Sequence, residues 1–275
     1  MNMKLAQFYH DHRLQIGQIK EDRIFPIRFD GDLVAFIQKR PSLNISDTPL
    51  ALTEIQWLPP IHNPSKIIAI GLNYLDHVQE SKGALPESPL VFAKFPNALV
   101  GHQAKIVWDE IVTQKVDFEA ELAVIIGKKA TCISEDQALE HVFGYTCAND
   151  VSARDLQFGD KQWVRGKSLD TFCPLGPWIV TTDELQDPQN LKIQCRVNGQ
   201  VMQESNTSMM IFSVARLVHF LSKHFTLLPG DIILTGTPHG VGAFRKPAVY
   251  LKTGDKVEVE IERIGCLSNV CESKP

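Results

Sequence analysis

The 275-residue sequence contains no apolar stretch long enough to cross a bilayer; Ile67–Leu72 is typical of its longer runs. The opening residues, Met1-Asn2-Met3-Lys4-Leu5-Ala6-Gln7, lack the apolar core and small-residue cleavage site of a secretory leader. The expectation is therefore a soluble, cytoplasmic protein with no membrane partner. An excess of one charge is also missing. Lys and Arg number 28 against 32 Asp and Glu, a net charge of -4, with no block of like charge, which argues against a nucleic-acid or polyanion surface. No C-x-x-C pair occurs among the six cysteines, and no nearby His completes a zinc pattern. Cys266 and Cys271 are close enough along the chain to pair, but a cytosolic setting favours buried, reduced thiols. There is no internal repeat and no low-complexity tract.

What is present is a hydrophobic content of 44%, enough for a sizeable core in one large domain with a small appendage. Lys4–Tyr9, Arg13–Ile19 and Arg23–Ile27 alternate as strands, and Leu33, Val34, Phe36 and Ile37 fit a short amphipathic helix after Asp30-Gly31-Asp32. Leu58-Pro59-Pro60 and Asn63-Pro64-Ser65 mark a turn or linker, placing a boundary between a small domain, 1–61, and a larger one, 62–275. Beyond it, Lys66–Gly71, Phe118–Ile126 and Lys192–Val197 read as strands, with a hairpin at Asn198-Gly199. Two helices are expected. One follows a capping box of Ser134 and Gln137 and covers Ala138–Val142; the other carries Ile211, Val214, Leu217, Val218 and Leu221 behind a cap at Thr207 or Ser208. Strands outnumber helices without regular alternation, which points to a β-rich α+β fold.

Glu119-Ala120-Glu121 is the most informative triplet. On a strand both carboxylates project from one face, and the following Leu122, Val124 and Ile126 make that strand look like core. Two buried like charges call for a cation, and oxygen ligands favour Mg²⁺, Mn²⁺ or Ca²⁺ over zinc; a solvent-facing strand edge is the plainer alternative. Asp150 stands where the apolar segment Tyr145–Ala148 gives way to a turn, as a third ligand or as an ordinary turn residue. His77 and Glu80 are three apart and share a face of a helical turn, as a water-activating dyad or as a solvated pair. Arg154, Gln157 and Lys167 supply cations and an amide near a substrate anion, or simply a polar surface. Leu234-Thr235-Gly236-Thr237-Pro238-His239-Gly240-Val241-Gly242 matches neither phosphate-binding glycine pattern; its hydroxyls and N–H groups could hold a carboxylate, or it could be a plain turn.

Taken together, Ile70–Glu80, Val116–Lys128, Phe143–Gln157, Gly166–Val180, Val197–Phe212 and Pro229–Gly242 resemble the fumarylacetoacetate hydrolase family over roughly residues 62–275. The resemblance implies a mixed β-sandwich roll, commonly a homodimer, with a variable N-terminal appendage. It implies that Glu119, Glu121 and Asp150 hold a divalent cation, usually Mg²⁺ or Mn²⁺, with Ca²⁺ also suited to the oxygen donors. It implies a catalytic set of His77, Glu80 and Lys167, with Arg154 and Gln157 around the substrate and Thr237 near its carboxylate. The implied reaction is hydrolysis of a C–C bond in a small 2,4-dioxo acid of the acylpyruvate or fumarylpyruvate type, through an enolate. The same chemistry supports a 2-hydroxyhepta-2,4-diene-1,7-dioate-type isomerase or an oxaloacetate decarboxylase; a non-catalytic dicarboxylate binder is a different class. Gly101-His102 departs from the Gly-Pro of relatives, and His102 is read as a surface residue.

Overall fold

The computed structural model describes residues 3–274; residues 1, 2 and 275, at the outer ends of the two expected domains, lie outside the described residues. Its main feature is a mixed twelve-stranded sheet. The N-terminal strands Lys4–His10, Arg13–Lys20 and Arg23–Pro26 form a meander, and Lys4 and Leu5 pair with Val180 and Ile179 of the strand Cys173–Thr181. From there the sheet continues through Val142–Asn149, Ala120–Ile126, Ile232–Leu234, Ile67–Gly71 and Leu90–Lys94. Residues on both sides of the expected boundary at 61–62 therefore share one sheet. A second, five-stranded sheet contains Gln200–Asn206, Lys192–Val197, Lys256–Ile261, Gly265–Lys274 and Lys105–Asp109.

The strand Ala120–Ile126 is buried on both faces, which is why it reads as a nearly unbroken apolar run. Ala120, Leu122, Val124 and Ile126 face a core shared with the five-stranded sheet (Ile193, Val259, Leu267) and with the helix Val214–His224. Ala123 and Ile125 face a second core, where Leu5, Leu33, Phe36 and Ile37 from the N-terminal segment meet Ala148, Leu175 and Leu234. This parity fixes the face on which the neighbouring acids emerge.

Local signals account for most element ends. Asp32 caps the helix Leu33–Lys39, its Oδ1 accepting from Ala35 N–H at 2.7 Å. Asn198 and Gly199 adopt φ of 52° and 78°, the conformation expected of the hairpin. Two helix readings need correction. Residues Ala138–His141 make a single 3₁₀ turn, because Val142 is already committed to the sheet opposite Ile126; Ser134 contacts the Gln137 side chain rather than closing a capping box. The long helix starts at Val214, capped by Ser213 and not by Thr207 or Ser208. Thr207 is instead held by Leu191, whose N–H donates to its hydroxyl at 2.9 Å while the Thr207 N–H donates back to the Leu191 carbonyl. All six cysteines are unpaired, and Cys266 and Cys271 lie on one extended strand, too far apart to bridge. In urea unfolding, Ser213→Ala should lower stability by about 1 kcal/mol through loss of the cap. The exposed Ser208→Ala should leave the midpoint unmoved, and equal effects would contradict the placement of the cap.

Candidate metal centre and its cavity

Glu119 immediately precedes the buried strand and Glu121 lies within it, on the face of Ala123 and Ile125. Opposite, Ala120 pairs with Asn149 and Glu121 with Ala148, so Asp150 emerges beyond the end of the neighbouring strand on the face of Ala148. The Asp150 N–H donates to the Glu119 carbonyl and the Glu119 N–H donates to Asn149 Oδ1, each at 2.9 Å. One oxygen from each of Glu119, Glu121 and Asp150 then lies within 4.8 Å of the others, and all three residues are buried.

Three cations answer these acids. Lys167 Nζ donates to Glu119 Oε2 at 2.8 Å and to Asp150 Oδ2 at 2.7 Å, and stands 5.3 Å from the Phe92 ring centroid. Lys94 Nζ donates to Asp150 Oδ1 at 2.6 Å. Arg154 Nε donates to Asp117 Oδ2 at 2.8 Å; its Nη2 lies 2.7 Å from Glu119 Oε1, an ionic contact without hydrogen-bond alignment. With Asp117 counted, four acids face three cations, so one acid lacks a cationic partner of its own. Glu121 carries the least compensation. Burial, followed by repulsion from Asp150 and Glu119, raises its carboxyl well above the usual range. Burial would raise Glu119 too, but Lys167 and Arg154 outweigh it and hold that carboxyl down at about 2. An all-oxygen donor set with one more acid than protein cations fits a hard divalent cation such as Mg²⁺, Mn²⁺ or Ca²⁺.

The loop after Leu234 does hold carboxylates, and they belong to the protein. The Gly236 N–H donates to Glu121 at 2.8 Å, the Gly240 N–H to both oxygens of Glu80 at 3.0 and 3.1 Å, and Gly242 and Ala243 N–H groups to Asp117 at 2.8 and 2.9 Å. His239 meets Asp76, Nδ1 to Oδ2, at 3.0 Å. Gly240 needs its glycine: φ is +95°, and a Cβ there would come within 2.3 Å of the Met202 carbonyl oxygen. Thr237 reaches the cavity, but its hydroxyl donates to the Ala120 carbonyl at 2.9 Å, so in this rotamer it has no proton for a substrate carboxylate.

His77 and Glu80 lie on the helix Leu75–Ser81, with His77 Nδ1 3.3 Å from Glu80 Oε2. Asn73 anchors the segment before it, donating to the Thr235 and Phe212 carbonyls and accepting from the Phe212 N–H. Arg154 and Gln157 lie on the short helix Arg154–Gly159, joined Nη1 to Oε1 at 2.8 Å. Glu119, Glu121, His77, Arg154, Gln157, Lys167 and Thr237 all line one cavity of about 120 Å³, with Phe92, Trp163 and Phe244 in its apolar wall. Asp150 and Glu80 support its walls from behind. A broader hollow of about 310 Å³, lined by Phe36, Arg40 and Phe143, gathers no comparable set of acids among the described residues. His102 is half-buried rather than an exposed surface residue. Its ring packs edge-on against Trp57, its Nδ1 accepts from the Ser268 N–H at 3.1 Å, and burial, aided by Lys256, lowers its pKa to about 4.

Sequence reasoning missed Lys94, Asp117 and Gln203. Lys94 shares its strand face with Phe92, a parity visible in Phe92-Ala93-Lys94. Asp117 directly precedes the segment read as a core strand. Gln203 accepts from the Ala120 N–H and donates to Thr237 and Pro238, but nothing in Met202-Gln203-Glu204 marks it as buried.

The family model described as fumarylacetoacetate (FAA) hydrolase C-terminal matches residues 66–272. The chain belongs to the fumarylacetoacetate hydrolase family. A curated relative, oxaloacetate tautomerase FAHD2A, mitochondrial, from Bos taurus, is 51% identical over 222 residues, covering 80% of this chain and 70% of its own. The solved fumarylacetoacetate hydrolase of Exiguobacterium antarcticum is 39% identical with a TM-score of 0.91, over 99% of this chain and 100% of that one. A maleylpyruvate hydrolase from Sphingobium sp. SYK-6, solved with manganese(II) and pyruvate, is 29% identical with a TM-score of 0.82 over the same shares. The fold is the family's, and no helix among the described residues is long and apolar enough to cross a membrane.

A cation that takes Glu121 as a ligand must displace its proton. Affinity for Mg²⁺ or Mn²⁺ should therefore rise by up to about tenfold per pH unit below the raised Glu121 pKa and level off above it. Calorimetry in two buffers of different ionisation enthalpy reads the released proton, and binding without proton release would contradict this.

Proposed function

We propose that this chain is a divalent-cation-dependent enzyme that interconverts the keto and enol forms of a small 2-oxo acid of the oxaloacetate type. The observation that carries the reading is the convergence of Glu119, Glu121 and Asp150 beside Lys167, with His77 in the wall of the same small cavity. Its volume of about 120 Å³ is well below the roughly 300 Å³ at which pockets for drug-sized ligands begin, which suits an acid of four or five carbons. The Bos taurus relative, named as an oxaloacetate tautomerase, supports the same choice.

A divalent cation held by Glu119, Glu121 and Asp150 would act as a Lewis acid on the 2-oxo group and so acidify the C3 proton. His77, with Nδ1 turned to Glu80, has Nε2 to take that proton and return it to oxygen. Glu80 keeps the imidazole in orientation because its own carboxylate is fixed by the Gly240 N–H. Lys167 and Arg154 offset negative charge as it grows on the substrate, and the Gln157 amide N–H₂ is left to donate because its oxygen accepts from Arg154. Phe92, Trp163 and Phe244 give the cavity an apolar wall against the substrate's carbons.

A second reading rests on the same dyad. His77 and Glu80 are also what hydrolysis of a 2,4-dioxo acid requires, with His77 drawing a proton from water, and the solved maleylpyruvate hydrolase supports it. The first reading expects faster ketonisation of enol-oxaloacetate, followed by ultraviolet absorbance, with Mg²⁺ or Mn²⁺ and none in EDTA. Glu119→Ala and Glu121→Ala should abolish it with circular dichroism unchanged. His77→Ala should slow it by about 10²–10⁴-fold, the usual worth of a positioned acid–base group. Cleavage of acetylpyruvate without any effect on oxaloacetate would move the conclusion to hydrolysis. Activity on neither, with metal present, would end both readings.

A further inference from the structure

Lys94 takes no part in the mechanism above, yet it is the most fully committed cation at the centre. It closes the strand Leu90–Lys94 on the same face as Phe92 and is 2% exposed. An ammonium group has three N–H donors. Here Nζ meets Asp150 Oδ1 at 2.6 Å, the Val151 carbonyl at 3.3 Å and, at close range, the Lys167 carbonyl. All three donors are used inside the protein, and Lys94 does not line the cavity. Lys167 differs: its ammonium bridges Glu119 and Asp150 and also borders the space where a substrate would sit.

Two consequences follow for Asp150. Lys94 holds its Oδ1 while Lys167 holds its Oδ2, so a cation bound to this carboxylate would share it with two ammonium groups. Lys94 also removes one unit of negative charge from the donor set. With Lys94, four carboxylates and three protein cations leave a charge of -1, and a divalent cation makes the loaded centre positive. Without it the loaded centre would be neutral and would attract an oxo-acid anion less.

We infer that Lys94 is a fixed counter-charge and positioning residue: by occupying Asp150 Oδ1 it gives up some cation affinity so that the loaded site attracts an anionic 2-oxo acid. This rests on the metal-dependent reading above. A purely structural lysine predicts that its loss weakens everything bound at the site. A counter-charge predicts opposite signs for cation and anion, because removing a positive charge helps one and harms the other.

The test uses the full-length chain with Lys94→Met and Lys94→Gln; the glutamine keeps a donor for Asp150 should the methionine variant fail to fold. Mn²⁺ alone is titrated first, then oxalate, a non-reacting dianion, against Mn²⁺-saturated protein. Mn²⁺ should bind as tightly as in the wild type or more so, while oxalate affinity falls by about tenfold or more for the loss of one nearby charge. The KM for oxaloacetate should rise in the same proportion. Parallel weakening of Mn²⁺ and oxalate, or wild-type oxalate binding in a folded variant, would overturn the assignment. So would unfolding of both variants in saturating Mn²⁺, since the lysine would then serve the fold. A wild-type chain that binds no Mn²⁺ would instead overturn the metal-dependent reading.

Discussion

The structure is governed by the need to keep four carboxylates buried at one place without unpaired charge. Isolated burial of even one such group is costly. Asp117, Glu119, Glu121 and Asp150 are tolerated because the chain surrounds them with Lys94, Lys167 and Arg154 and with N–H donors aimed from the loop after Leu234. Compensation is weakest at Glu121, whose carboxyl is raised well above the usual range by burial and by the neighbouring acids, and a hard divalent cation would take the place of its proton.

The glycine-rich loop is the common support of this arrangement. Its backbone reaches Glu121 in the acid cluster, Asp117 behind Arg154, and Glu80 on the helix that carries His77. Acid cluster and dyad are thus spaced by a single backbone segment rather than by two independent parts. A loop of this kind fixes the side chains it holds more tightly than long side chains could, because peptide N–H groups have little freedom once φ and ψ are set.

What the sequence made legible follows from how local each signal is. Strand parity was enough to put Glu119 and Glu121 on one face and Asp150 at the end of the adjoining strand, and the i, i+3 spacing put His77 beside Glu80. The hairpin at Asn198-Gly199 and the short helix after Asp30-Gly31-Asp32 were equally local. Errors appeared where distant pairing decided the outcome. Thr207 looked like a cap because its engagement with Leu191 comes from elsewhere in the chain, and His102 looked exposed because Trp57 and Ser268 are remote in sequence. Lys94, Asp117 and Gln203 escaped notice for the same reason: a lone polar residue in a strand declares its burial only through partners brought by the fold.

The N-terminal meander has a practical meaning for anyone wishing to isolate the part that the family model matches. Leu5, Leu33, Phe36 and Ile37 cover the same apolar layer as Ala148 and Leu175, and Lys4 and Leu5 pair with the strand Cys173–Thr181. A fragment trimmed to residues 66–272 would present that strand with unpaired peptide groups beside uncovered aliphatic side chains. Such a surface invites edge-to-edge association between molecules, so the leading sixty-odd residues serve here as the sheet's built-in guard against stacking on itself.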